Sequence, residues 1–173
     1  MKKLSEEIRE GNLKQVYLLC GEEAYLRRQY RDRVKKALLG DGDLMNLNCF
    51  EGKGIVPGEV IDLAQTMPFL AERRVLVIEN SGFFKRGGEA LAEYLADPAP
   101  SAYFLFVETE IDKRSRLYKA ASARGRVIDC KTPDEGVLKR WVVELLAKDN
   151  KRITQRDLDL FLEKTGTDME NIR

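Results

Sequence analysis

Apolar residues in this chain fall into two kinds of run. Val16-Tyr17-Leu18-Leu19-Cys20, Val75-Leu76-Val77-Ile78 and Tyr103-Phe104-Leu105-Phe106-Val107 are unbroken, too short for helices, and closed by Gly21, Glu79 and Glu108. Such runs predict strands covered on both faces. A weaker run over Leu44 to Phe50 and a short one over Val127 to Cys130 bring the number of predicted strands to five. Elsewhere apolar positions recur at helical spacing: Leu26, Tyr30, Val34 and Leu38 within 22–39; Val60, Leu63, Ala64 and Met67 before Pro68; Leu91, Tyr94 and Leu95 between Gly88 and Pro98. A short helix over Leu4 to Arg9 opens the chain, Gly40-Asp41-Gly42-Asp43 reads as a loop, and Asp112 is placed to cap a basic helix running to Lys119. Strands alternating with helices predict a parallel sheet with helices on both faces.

From Thr132 the pattern is helical throughout. Thr132-Pro133-Asp134-Glu135 reads as a capping box with proline in the first turn, Thr154 with Asp157 as a second cap, and Gly166 as a stop. A third box, Thr167-Asp168-Met169-Glu170, opens a helix that has only a few residues to run, so the expectation is a fragment of a longer protein. The predicted division is an α/β domain over 1–131 and a partial helical domain over 132–173.

One connector breaks the pattern. Between the helix ending near Pro68 and the strand beginning at Val75 stand Met67-Pro68-Phe69-Leu70, large apolar residues where a connector is ordinarily polar. Two readings are open: the side chains fold back under the sheet as core, or they project as an apolar plug for a pocket on another protein.

Composition narrows the chemistry. Thirty basic against 29 acidic residues leave a net charge of +1, so no global field draws the chain to nucleic acid or membrane. The basic clusters Arg27, Arg28, Arg31 and Lys113, Arg114, Arg116 are read first as solvated helix faces and second as a local DNA contact. With no histidine, imidazole catalysis and Cys/His zinc sites are excluded, and the three cysteines read as buried free thiols. No run has transmembrane or signal-peptide character, which predicts a cytoplasmic protein.

A parallel sheet followed by helices is the layout of many nucleoside-triphosphate machines, whose phosphate loop lies after the first strand. Here that turn reads Gly21-Glu22-Glu23-Ala24-Tyr25-Leu26-Arg27-Arg28: two carboxylates face the place of phosphates, and no Lys-Ser/Thr pair follows. Glu79-Asn80 stands at the third strand's end instead of an Asp-Glu pair for magnesium. Nucleotide hydrolysis, a phosphate receiver and a dinucleotide site all lack their residues, and no cofactor is expected.

Four segments together resemble the delta subunit family of the bacterial DNA polymerase III clamp loader: Val16 to Leu26, Gln65 to Arg74, Asp112 to Lys119, and Gly166 to Glu170. The resemblance implies an AAA+-type, P-loop NTPase-like five-stranded parallel sheet domain with a degenerate nucleotide site, followed by a partial helical lid, with the C-terminal collar missing. It further implies a non-hydrolysing subunit of the polymerase holoenzyme that binds the sliding clamp (beta subunit) and opens it for loading on primed DNA. Its clamp contact maps onto Phe69 and Leu70, with Met67 and Pro68 beside them. The gamma/tau and delta prime subunits are implied as partners through the missing collar. The alternative is an active nucleotide-binding ATPase of the same fold.

Overall fold

The computed structural model describes residues 2–40 and 44–172, and the loop expected over 40–43 lies at 41–43 outside the described residues. Five strands, β1 (Val16–Cys20), β2 (Leu47–Glu51), β3 (Arg74–Glu79), β4 (Ala102–Glu108) and β5 (Gly125–Asp129), form one sheet in the order β2-β3-β4-β1-β5. All four neighbouring pairs are parallel. The three inner strands are buried along nearly their whole length, which is why their sequences are unbroken apolar runs. The edge strands β2 and β5 are half-buried, and their sequence signals are correspondingly weaker.

Parallel neighbours require crossovers, and helices supply them. Alternate side chains of each strand point to opposite faces. Leu18, Leu76, Ile78, Phe104 and Phe106 meet α3 (Pro57–Gln65), α4 (Glu89–Tyr94) and α5 (Arg116–Arg124) on one face. Tyr17, Leu19, Val75, Val77 and Leu105 meet α1 (Lys2–Glu10) and α2 (Ala24–Leu39) on the other. Phe106 is the aromatic centre of the first core, edge-on to Phe84 at 5.2 Å and stacked on Phe104 at 5.9 Å.

Helices α6 (Glu135–Lys148), α7 (Gln155–Thr165) and α8 (Met169–Ile172) enclose a third cluster built from Leu138, Val142, Leu158, Leu162, Met169 and Ile172. Tyr25 of α2 joins it, edge-on to Trp141 at 5.3 Å.

The predicted elements are found, but several caps move. Thr154 does accept from the Asp157 N–H at 3.2 Å, and Gly166 ends α7 at φ 75°. The cap of α6, however, is Asp134, whose carboxylate accepts from Val137 N–H at 2.8 Å; Thr132 and Pro133 lie before the helix. Asp168, not Thr167, accepts from Glu170 N–H at the start of α8. Ser115, not Asp112, caps α5, and Asp112 instead closes the preceding turn by accepting from the N–H groups of Arg114 and Ser115. Ser, Thr and Asp are nearly equivalent caps, so where the preceding strand leaves the chain decides among neighbours.

The cysteine expectation holds for two of three. Cys20 and Cys130 are buried, and burial pushes both thiols up, Cys130 to about 12, which leaves little thiolate for chemistry. Cys49 is exposed, because β2 is an edge strand with one face less covered. Among the described residues no helix is long and apolar enough to cross a membrane.

Candidate functional site

The connector after α3 stands out from the sheet domain. Helix α3 stops at Gln65, Thr66 is already extended, and Pro68 disfavours helical geometry at Met67. Met67, assigned by spacing to the buried face of α3, is therefore outside the helix and 84% exposed. Phe69 is 57% and Leu70 92% exposed, so neither folds back as core. Leu70 sits at φ 50°, a left-handed conformation that costs a branched side chain about 1 kcal/mol or more.

Two buried polar side chains hold this loop. Asn46, 1% exposed, donates from Nδ2 to the Phe69 carbonyl at 2.8 Å and accepts from the Phe69 N–H at 2.7 Å. Arg74, 8% exposed, donates from Nε to the Thr66 carbonyl and from Nη2 to the Met67 carbonyl, each at 3.0 Å, while Nη1 reaches Asn48 Oδ1 at 3.1 Å. Sequence reasoning singled out neither residue. Arg74 had a signal, an arginine opening a wholly buried strand; Asn46 had none, since it is one polar residue in a weakly alternating stretch. Asn46 ends a single 3-10 turn (Leu44–Asn46) that also exposes Leu44 and Met45. Among the described residues, five of the eight exposed large apolar side chains, Leu44, Met45, Met67, Phe69 and Leu70, thus lie on two segments joined by one amide.

The turn after β1 is occupied by the chain itself. Gly21 has φ 130°, and a Cβ there would lie 2.5 Å from the Cys130 carbonyl oxygen. Cys130 donates to the Cys20 carbonyl at 2.6 Å and accepts from the Glu23 N–H at 2.9 Å. Glu23 caps α2, its carboxylate accepting from Tyr25 N–H at 3.1 Å, and Arg27 donates to the Gly21 carbonyl. The Glu23 and Tyr25 amides, at the helix start where a phosphate loop would hold phosphate, are thus already engaged. Glu79, at the end of β3, accepts from Arg31 Nη1 at 3.1 and 3.3 Å, so a guanidinium neutralises the carboxylate at the position where the hydrolysing machines hold magnesium. Among the described residues no group of acidic, cysteine or histidine side chains is arranged to hold a metal ion.

Glu108, buried at the end of β4, accepts from the N–H groups of Ser81 and Gly82 at 3.0 and 3.2 Å and from the Ser81 hydroxyl. Burial raises its carboxyl above the ordinary value of 4.5, although those hydrogen bonds pull the other way. A carboxyl that holds its proton more tightly when folded adds stability below the unfolded value and loses that contribution as pH rises through the folded one. Urea midpoints of the wild-type chain should therefore fall relative to Glu108→Gln as pH rises from 4.5. A parallel pair of profiles would show that ionisation of Glu108 has no weight in stability.

The basic residues divide. Arg27 holds the β1–α2 turn, Arg28 pairs with Glu170 of α8, and Arg31 bridges Asp32 and Glu79. They are structural ties more than the free solvated face expected from the sequence. Arg114 and Arg116 line a cleft of about 540 Å³ with Lys85, Arg86, Glu89 and Asp112; Lys113 precedes Arg114 in the same turn. Arg114 is paired with Asp112 at 3.1 Å but is 91% exposed.

A five-stranded parallel sheet in this order, followed by helices, is an AAA+-type fold. The chain superposes on the RuvB Holliday junction branch migration motor of Thermotoga maritima with TM-score 0.59 and 15% identity, over 99% of this chain and 57% of that one. A gamma subunit-related protein of DNA polymerase III from the same organism matches with TM-score 0.53 and 13% identity, over 87% and 54%. Within that class the family is defined by sequence: the family model for the DNA polymerase III delta subunit matches residues 17–131, and the chain belongs to that family. It is 24% identical to the DNA polymerase III subunit delta of Bacillus subtilis over 160 residues, 86% of this chain and 46% of that protein. The B. subtilis DNA clamp loader delta protein superposes with TM-score 0.79 and 22% identity over 98% of this chain and 54% of that one. The chain spans about half the length of these relatives.

Proposed function

We propose that this chain forms the sheet domain (1–131) and partial lid (132–173) of a non-hydrolysing clamp-loader subunit that docks the ring-shaped sliding clamp through Met67, Pro68, Phe69 and Leu70. The observation that carries this reading is the pair Phe69 and Leu70, exposed on a loop whose backbone is held from beneath by Asn46 and Arg74. A large aromatic and a large aliphatic side chain at the tip of a braced loop suit insertion into an apolar pocket, the usual form of a binding hot spot. Opening follows as a population shift: a ring interface that fluctuates is biased open by whatever difference exists between this chain's affinity for open and closed rings. No nucleotide is required of this chain, in keeping with the Glu23 cap and the Arg31–Glu79 pair. Partnership with gamma/tau and delta prime subunits, and work inside the cell as part of a DNA-directed DNA polymerase holoenzyme, complete the proposal. The direct test is binding of the chain to purified beta clamp by surface plasmon resonance, with the substitutions developed in the Discussion; absence of binding at micromolar clamp would sink it.

Contact with DNA falls to Lys113, Arg114 and Arg116, since Arg114 is paired with Asp112 only within its own turn and stays 91% exposed, whereas Arg27, Arg28 and Arg31 tie α2 to other elements. Phosphate contacts there predict that each substitution to alanine lowers the slope of log affinity against log salt by about 0.9 on duplex DNA. A salt slope that the triple substitution leaves unchanged removes DNA from the proposal.

A further inference from the structure

We infer that Asn46 is a positioning residue for docking: its side-chain amide holds the 66–70 loop in its binding shape before any partner arrives. This inference rests on the reading of Phe69 and Leu70 as the docking pair. Nδ2 and Oδ1 of Asn46 engage the carbonyl and the N–H of the same residue, Phe69, the exchange of two bonds that a paired β-residue would make. A loop with no strand beside it thereby acquires strand-like pairing at the residue that carries the aromatic side chain. Arg74 fixes the carbonyls of Thr66 and Met67 on the near side of Pro68, whose ring restricts φ, so the backbone is held on both sides of the proline. Asn46 is itself immobilised by burial and stands at the end of a turn whose other two residues, Leu44 and Met45, are exposed beside the loop.

The physical consequence concerns affinity rather than contact. Asn46 is 1% exposed and has no surface to offer a partner. Without it, Phe69 would sample many backbone and side-chain states, and docking would have to select one, which weakens binding with no loss of any interface atom. A purely structural asparagine would change thermal stability and leave the affinity of folded protein alone.

The test is Asn46→Ala in the full 173-residue chain, compared with wild type for two readouts: Kd for the beta clamp and hydrogen exchange at the Phe69 amide in the unbound protein. The expected result is Kd raised about tenfold together with loss of Phe69 amide protection. Loss of protection with Kd within about twofold of wild type overturns the inference, and so does a raised Kd with protection intact. If Asn46→Ala does not fold, Asn46→Asp takes its place: it is isosteric, keeps the acceptor for the Phe69 N–H and removes the donor to its carbonyl, so protection of that amide is expected to persist and a Kd within about twofold of wild type overturns the inference. Phe69→Ala and Leu70→Ala measured alongside separate the two claims: full affinity in both removes the docking reading itself, whereas lost affinity in either with an unaffected Asn46→Ala removes only the positioning role.

Discussion

Truncation of Phe69 or Leu70 to alanine is expected to weaken binding to the beta clamp by at least about 2 kcal/mol each, roughly 30-fold, with the thermal midpoint nearly unchanged. Side chains 57% and 92% exposed bury little on folding, so their removal leaves no cavity in the sheet domain. At Leu70 the left-handed backbone remains strained with alanine, since any Cβ suffers at φ 50°, and the substitution therefore tests the side chain and not the backbone. The two effects need not add, because both side chains would share one pocket. Surface plasmon resonance against immobilised clamp measures the loss, and a thermal melt of the same samples checks the fold. Retention of wild-type affinity in both variants would remove the loop from the interface, and a midpoint lowered by many degrees would mean that these residues pack in a way their exposure does not suggest.

Phe106→Ala should be the most damaging of the core truncations, costing about 3–5 kcal/mol and lowering the midpoint by roughly 10 °C or more for a domain of this size. Phe106 is fully buried on β4, opposite Ile78 of β3, and is in contact with both Phe84 and Phe104. Alanine would leave a cavity at the middle of the larger core and remove two aromatic contacts together. The consequence reaches the loop only indirectly, since β3 begins with Arg74, which fixes Thr66 and Met67. Protein that remains folded should therefore bind the clamp as wild type does, and the defect should appear in chemical or thermal denaturation alone. A midpoint shift of only about 2 °C would show that the core around Phe106 collapses to fill the space.

These two positions mark how far periodicity reaches. Phe106 was legible as core because it stands in an unbroken run, and such a run can be accommodated only in an inner strand of a parallel sheet. Phe69 was not, because a connector has no period to say which way its side chains face. The same limit explains Met67: its spacing from Val60 fits the buried face of a longer α3, but the proline that follows makes the helix end before reaching it. The caps of α5, α6 and α8 slipped by one to three positions for a related reason, adjacent residues being equally competent to cap. Arg28 and Arg31 looked like a solvated face because their partners, Glu170 and Glu79, are distant in sequence.

By itself the amino-acid sequence determined the five strands, the helices between and after them, and the unsuitability of the β1–α2 turn for phosphate, because these depend on residue type and short-range spacing. It also determined that two large apolar residues would stand in a connector. Only the tertiary structure decided that they face outward, because that rests on an asparagine before β2 and an arginine at the start of β3, brought to either side of Pro68 by the pairing of those two strands. Hydrogen bonds between segments distant along the chain leave no periodic trace in the sequence, and they are what shapes a loop.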